Sequence, residues 1–300
     1  MLSGVITPMI TIFDQNDQID YEANKELVDY LIDSGVDGIL LFGSIGEFFS
    51  LRKKKKKKYL QYIVKVVDRR VPLLVGSASN VMEEVLELND FAEAEGADAL
   101  VILEPYFFDL DQKSAEQYYL KATAETDLPC YIYNFPARTG VNLGADFVLD
   151  LLEKRDNIIG LKDSVTTFGH SRKLINRIRA QKKDFAIFSG FDEFLIPNLM
   201  LNGNGIIGGL SNVVPTLFVE LIKAFRQQEM ARIKLLNQKL SILMEIYDLG
   251  DPFIKAIKTA IAVSRKEINT ALKFPMGQST AIERKEIEKV IKRAEIEEYL

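Results

Sequence analysis

The chain has 300 residues, 47% hydrophobic and 27% charged, an ordinary globular composition that allows one large core or two small ones. A formal net charge of −5 argues against nucleic acid or an anionic membrane as the main partner, since both ask for a basic face, and leaves a small molecule as the default ligand. The single cysteine, Cys130, excludes an internal disulfide and a multi-cysteine zinc site, and it fits a reducing, cytoplasmic location.

Residues 1–13 lack the basic start and small-residue cleavage site of a signal peptide. No apolar run is long enough to predict a membrane span. From Gly4 onward, short apolar runs alternate with longer segments of helical period. The strand candidates are Gly4–Thr7, Gly38–Phe42, Leu73–Gly76, Ala99–Leu103, Cys130–Tyr133, Ile158–Lys162, Ala186–Ser189 and Gly205–Gly208. Their hydrophobicity is continuous rather than alternating, as parallel strands covered on both faces require.

Between the strands, Asn80 is placed to cap a helix over Val81–Glu95 that stops at Gly96, and Pro215 opens another over Thr216–Gln227. The exits Gly35-Val36-Asp37-Gly38 and Gly96-Ala97-Asp98-Ala99 echo one another, each feeding a strand. Eight such units predict an α/β fold, a (β/α)₈ TIM barrel over residues 1–227, for which about 250 residues is typical. A doubly wound open sheet is the alternative, because the pattern alone does not close a sheet. Residues 228–300 predict a C-terminal helical region packed on the barrel, with helices over Met230–Tyr247, Phe253–Val263 and Ile282–Glu297. The run Lys53–Lys58 falls where the helix after the second strand begins, and reads as a solvated face rather than a nucleic-acid patch.

In such a barrel the active site lies at the C-terminal ends of the strands. There stand Gly43-Ser44-Ile45-Gly46-Glu47, Tyr133 through Gly140 with Arg138, Lys162-Asp163-Ser164, Gly190-Phe191-Asp192-Glu193, and Gly205 to Asn212. Lys162 ends an apolar strand, where lysine is rarely found unless paired or used. An amine held out of water loses the hydration that stabilises its charged form, and a neutral amine attacks carbonyl carbon to form a Schiff base. The alternative is a structural ion pair of Lys162 with Asp163 or Glu47. Tyr133 is either a proton carrier or a core aromatic, and Ser44 between glycines either a carboxylate cradle or a tight turn.

Other ideas fail on the residues themselves. Gly203–Gly208 has the spacing of a dinucleotide loop, but its last glycine falls in the strand instead of opening a helix. The sole histidine, His170, cannot furnish a histidine-rich metal site and leaves a catalytic triad hard to build. Cys130 reads as a small buried hydrophobe.

Gly43–Glu47, Tyr133-Asn134-Phe135-Pro136 with Thr139-Gly140, and Gly160–Ser164 together resemble the dihydrodipicolinate synthase and N-acetylneuraminate lyase family, pyruvate-handling class I aldolases on a (β/α)₈ barrel. The resemblance spans essentially the whole chain. It implies Lys162 as the Schiff-base lysine and Tyr133 as the proton relay. It implies Ser44 with the amides around Ile45 as the carboxylate cradle, and Ile207 on the strand lining the same pocket. It also implies a homotetramer of paired dimers, with Tyr106 and Phe107 near the tight interface.

Several features bear on the branch. Ser44-Ile45 stands where the synthase usually has two hydroxyl residues, and Phe107 where it has a second tyrosine. Gly190-Phe191-Asp192-Glu193 resembles the sugar-acid lyases. Val67–Pro72 and Tyr247–Phe253 resemble the 2-keto-3-deoxy sugar-acid aldolases. Arg138 instead matches the synthase arginine that holds a carboxylate, and suggests a substrate with a second carboxylate at its far end.

The implied activity is reversible cleavage of a 2-keto-3-deoxy sugar acid to pyruvate and an aldehyde. Gly190, Ser164, Asp192 and Glu193 would contact substrate, the last three through its hydroxyls, and no metal or cofactor would be needed beyond the covalent Schiff base. The alternatives are 4-hydroxy-tetrahydrodipicolinate synthase, a family dehydratase, and a barrel that binds a small acid without turning it over.

Overall fold

The computed structural model describes residues 1–181, 184–265 and 268–300. Eight parallel strands form the inner wall: β1 Gly4–Pro8, β2 Gly38–Leu41, β3 Leu73–Ser77, β4 Ala99–Ile102, β5 Cys130–Asn134, β6 Ile158–Asp163, β7 Ala186–Ser189 and β8 Gly205–Ile206. Each pairs with the next, and β8 pairs back onto β1 through Gly4 with Gly205 and Val5 with Ile206, so the sheet is a closed barrel and the open-sheet alternative falls. β8 is the shortest strand, and its expected continuation through Gly208 runs instead into a 3₁₀ turn over Gly209–Asn212.

The helices outside are α1 Tyr21–Asp33, α2 Lys53–Val67, α3 Met82–Glu95, α4 Gln112–Ala122, α5 Pro136–Thr139, α6 Ala145–Lys154, α7 Phe168–Gln181, α8 Leu195–Met200 and α9 Pro215–Arg226. Local chemistry sets several of their ends. Asp20 and Asp111 accept N-terminal amides of α1 and α4. Pro215 opens α9, and Gly96 ends α3 at φ +88°, a conformation glycine adopts without a Cβ penalty. Asn80 does not cap α3. Its side chain accepts the Tyr106 amide, tying the loop before α3 to the loop after β4, and Val81 stands at the cap position with its own amide bonded to Ser79 Oγ.

The lysine run forms the first turns of α2. Lys53 and Lys57 pair with Glu87 of α3, and Lys55 donates to Gln18. These bonds to neighbouring side chains offset a cationic N-terminus that the helix dipole disfavours.

The remaining helices are α10 Met230–Leu243, α11 Ile254–Ser264 and α12 Ala281–Ala294, the last opened by a Thr280/Glu283 capping box. α10 stops short of the expected Tyr247, because the chain tightens into a 3₁₀ stretch over Met244–Leu249 before Gly250. Leu236, Leu240, Ile257 and Ile261 from this region join the same buried apolar cluster as the barrel strands. Among the described residues, no helix is long and apolar enough to cross a membrane.

Candidate active site

The turn after β2 is built first by what anchors it. Ser44–Gly46 form one 3₁₀ turn, and Glu47 follows at φ +57°. The Glu47 carboxylate is fully buried, accepting from Lys258 Nζ of α11 at 2.6 Å and from the Lys273 amide at 2.9 Å. Burial pushes the Lys258 ammonium below its usual range, and the charge of Glu47 opposes that shift. Glu47 is therefore spent on holding the turn and does not pair with Lys162.

β5 and β6 run in register, with Tyr133 beside Lys162 and Asn134 beside Asp163. Gly160 makes this possible, because a Cβ there would lie 2.3 Å from the Tyr131 ring. Lys162 is 4% exposed, and its Nζ sits 4.1 Å from the centre of the Tyr133 ring. The Tyr133 ring stacks on Phe135 at 5.6 Å, and its hydroxyl lies 3.4 Å from Ser44 Oγ.

The second candidate counter-ion, Asp163, is also committed. It accepts from Asn134 at 2.8 Å and from Ser171 at 2.6 Å, with His170 Nδ1 3.3 Å away. The structural ion pair considered for Lys162 is thus not formed with either residue. His170 belongs to this fastening, and Cys130 is buried with its thiol pushed up to about 12 by that burial.

Gly190 packs directly on Ser164: a Cβ at Gly190 would stand 1.8 Å from Ser164 Oγ. Asp192 is fully buried. Its Oδ2 accepts from the Tyr247 hydroxyl and, at 3.5 Å, from the Leu210 amide, while Oδ1 has no hydrogen-bond partner. Burial pushes its carboxyl up to about 6, against the Tyr247 bond, the Leu210 and Gly209 amides and the charge of Lys162. The same burial, with Asp192 beside it, holds the Tyr247 phenol well above its usual value.

These groups line one cavity of about 510 Å³ at the C-terminal mouth of the barrel. Ser44, Ile45, Tyr133, Arg138, Lys162, Ser164, Gly190, Asp192, Glu193 and Ile207 all border it. Tyr106 and Phe107 do not. Tyr106 packs edge-on against Phe48, and Phe107 is 79% exposed on the outer surface.

The residues that sequence reasoning missed come from the C-terminal region: Ser241, Met244, Glu245, Tyr247, Asp248 and Phe253 wall the same cavity. Helical periodicity concealed them, because the wall is made where α10 gives way to the 3₁₀ stretch. The stop signal Gly250-Asp251-Pro252 was the available hint. Among the described residues, no group of three or more His, Cys, Asp or Glu side chains is placed to hold a metal ion.

Chemically, the cavity offers an amine that pairs with neither Glu47 nor Asp163, two hydroxyls 3.4 Å apart and the exposed Arg138. That set suits covalent capture of a ketone with transfer of its protons.

Comparison with known proteins finds relatives along nearly the whole chain. The model of the dihydrodipicolinate synthetase family matches residues 1–294. The chain is 34% identical over 270 residues to the Escherichia coli K12 protein named "Putative 2-dehydro-3-deoxy-D-gluconate aldolase YagE", covering 90% of this chain and 89% of that one. It is 35% identical over 256 residues to that organism's "Probable 2-dehydro-3-deoxy-D-pentonate aldolase YjhH", at 85% coverage of each. The 4-hydroxy-tetrahydrodipicolinate synthase of Methanocaldococcus jannaschii is 31% identical over 292 residues, 97% of this chain and 98% of the synthase. The solved structure of YagE in complex with pyruvate superposes with a TM-score of 0.96 at 31% identity over 99% of both chains.

Proposed function

The chain belongs to the dihydrodipicolinate synthetase family, and from that premise we propose that it is a carbon–carbon lyase, a class I aldolase that reversibly cleaves a 2-keto-3-deoxy sugar acid to pyruvate and an aldehyde. The observation that carries this reading is Lys162, buried at a strand end with both expected counter-ions engaged elsewhere and Tyr133 and Ser44 beside it. Two relatives named as aldolases of such acids, and a superposable relative that binds pyruvate, support the substrate class.

The first step joins the neutral Lys162 amine and the C2 ketone, with a proton given up by the Tyr133 hydroxyl, to give an iminium, a Tyr133 phenolate and water. The C4 hydroxyl proton then passes to the Tyr133 phenolate as the C3–C4 bond breaks. That bond's electrons flow into the iminium to leave a neutral enamine, and the aldehyde departs. Proton return to C3 and hydrolysis release pyruvate and restore the amine. Ser44 and the amides around Ile45 hold the pyruvyl carboxylate. Ser164 and Glu193 accept substrate hydroxyls, and Ile207 and Gly190 shape the wall. Asp192 is fully buried and borders the same cavity. None of these steps calls for a metal or an organic cofactor.

Residues 1–227 form the catalytic barrel and residues 228–300 the region packed on it. The assembly is a homotetramer of paired dimers in the cytoplasm, with Tyr106 and the exposed Phe107 at a subunit contact.

Pyruvate release from 2-keto-3-deoxy sugar acids, followed by a lactate dehydrogenase couple, tests the reading. Activity that vanishes in Lys162→Ala is expected. A strong preference for condensing pyruvate with aspartate semialdehyde would assign the chain to the synthase branch instead.

A further inference from the structure

Among the described residues, four carboxylates are buried: Glu47, Glu104, Asp163 and Asp192. Three have both oxygens engaged. Glu47 holds Lys258 and the Lys273 amide, Asp163 holds Asn134 and Ser171, and Glu104 accepts from Tyr119 and from Thr139 at 2.9 Å. Asp192 alone keeps an oxygen with no partner, and of the four it alone borders the cavity that contains Lys162. A buried carboxylate without a full set of partners is costly to keep, so its retention asks for a charge to meet. Lys162 borders the same cavity, and a positive charge on its side chain acts on the Asp192 carboxyl.

Asp192 is held from outside the barrel strands. Its other oxygen is bound by the Tyr247 hydroxyl, which comes not from a strand end but from the 3₁₀ stretch beyond α10. Gly208 and Gly209 leave the room: a Cβ at Gly208 would lie 2.0 Å from Asp192 Oδ1, and one at Gly209 2.6 Å from the Tyr247 hydroxyl.

We infer that Asp192 is the fixed counter-charge to the iminium formed on Lys162, and that Tyr247 is a positioning residue that holds it there. The inference rests on the Schiff-base reading above. The attacking amine is neutral and the iminium carries a positive charge, so a fixed anion stabilises the covalent species over the amine that forms it. A preorganised charge in a water-poor site stabilises such a species without reorganising as it forms. Burial pushes the Asp192 carboxyl up to about 6, which still leaves it ionised at neutral pH.

Pyruvate has no hydroxyl beyond its carboxylate and ketone, so it separates this role from the binding of sugar hydroxyls. The rate of borohydride-trapped pyruvate adduct is measured by intact mass across pyruvate concentration for wild type, Asp192→Asn and Tyr247→Phe, with folding checked by circular dichroism. At saturating pyruvate, Asp192→Asn is expected to slow trapping about tenfold or more, equivalent to about 1.4 kcal/mol. Tyr247→Phe is expected to slow it by a smaller factor, at least about threefold. The half-saturating pyruvate concentration stays near wild type in both, a split that general loosening of the fold would not produce.

Trapping at the wild-type rate in Asp192→Asn, with weaker binding of the sugar acid instead, would overturn the inference in favour of hydroxyl binding. If Asp192→Asn does not fold, a Tyr247→Phe rate within twofold of wild type overturns it. Absence of an adduct in wild type would refute the Schiff-base reading itself, a distinct outcome.

Discussion

Replacing Lys258 by Met removes one half of the ion pair that fastens the Ser44 turn to α11. Both members are fully buried and 2.6 Å apart, and the Lys258 ammonium also donates to the Ala271 carbonyl at 3.1 Å. Met fills most of the aliphatic volume, so the main effect is a Glu47 carboxylate left in the interior with only the Lys273 amide. Breaking a buried pair from one side costs about 3–5 kcal/mol, whereas removing both charges together is often close to neutral. With an unfolding entropy of about 2.1 cal/mol/K per residue, a chain of this length changes by about 0.6 kcal/mol per degree, so Lys258→Met is expected to lower Tm by about 5–8 °C. The double variant Glu47→Gln/Lys258→Met should recover at least half of that loss. Differential scanning calorimetry at pH 7.5 measures both. A Lys258→Met chain that melts within about 1 °C of wild type, or a double variant no better than the single, would refute the idea that this pair's charges are mutually dependent.

Three further outcomes are expected. Asp192→Asn should be more stable than wild type above pH 6. Burial raises the folded-state carboxyl from 3.8 to about 6, so the folded state binds the extra proton, stability falls as pH rises through that window, and the ionised side chain carries a cost of about 2–3 kcal/mol at neutral pH. Calorimetry at pH 7.5 and at pH 4 checks it, and an advantage that fails to shrink at pH 4 would contradict the cause assigned. Gly190→Ala should abolish turnover and lose about 1–3 kcal/mol of stability, because its methyl would meet Ser164 Oγ at 1.8 Å; denaturant titration of Gly190→Ala against Gly190→Ala/Ser164→Gly should show partial recovery. Arg138→Leu should selectively weaken turnover of sugar acids with a second terminal carboxylate, measured as the ratio of kcat/KM for diacid and monoacid; an unchanged ratio would remove Arg138 from acceptor recognition.

The barrel was legible because its determinants are local. Continuous apolar runs, Gly96 at a helix end and Pro215 at a helix start each act within a few residues, and the eightfold recurrence of the runs names the architecture. The strand-end groups were legible for the same reason, since topology carries Lys162, Tyr133 and Ser44 to one mouth once the strands are placed. What escaped was set by distance along the chain. The partner of Glu47 lies 211 residues away, and that of Asp192 lies 55 away in a stretch where helical periodicity lapses. Asn80 shows the converse error. A residue with ideal capping chemistry was taken instead by the Tyr106 amide, a tertiary contact that no local pattern encodes.

The proposed chemistry depends on covalent capture at one amine. Wild-type protein incubated with pyruvate and borohydride, digested and mapped by mass spectrometry, should carry a reduced pyruvyl group on the peptide containing Lys162, and Lys162→Ala should carry none. An unmodified wild type, or an adduct that persists on another residue in the variant, would contradict it.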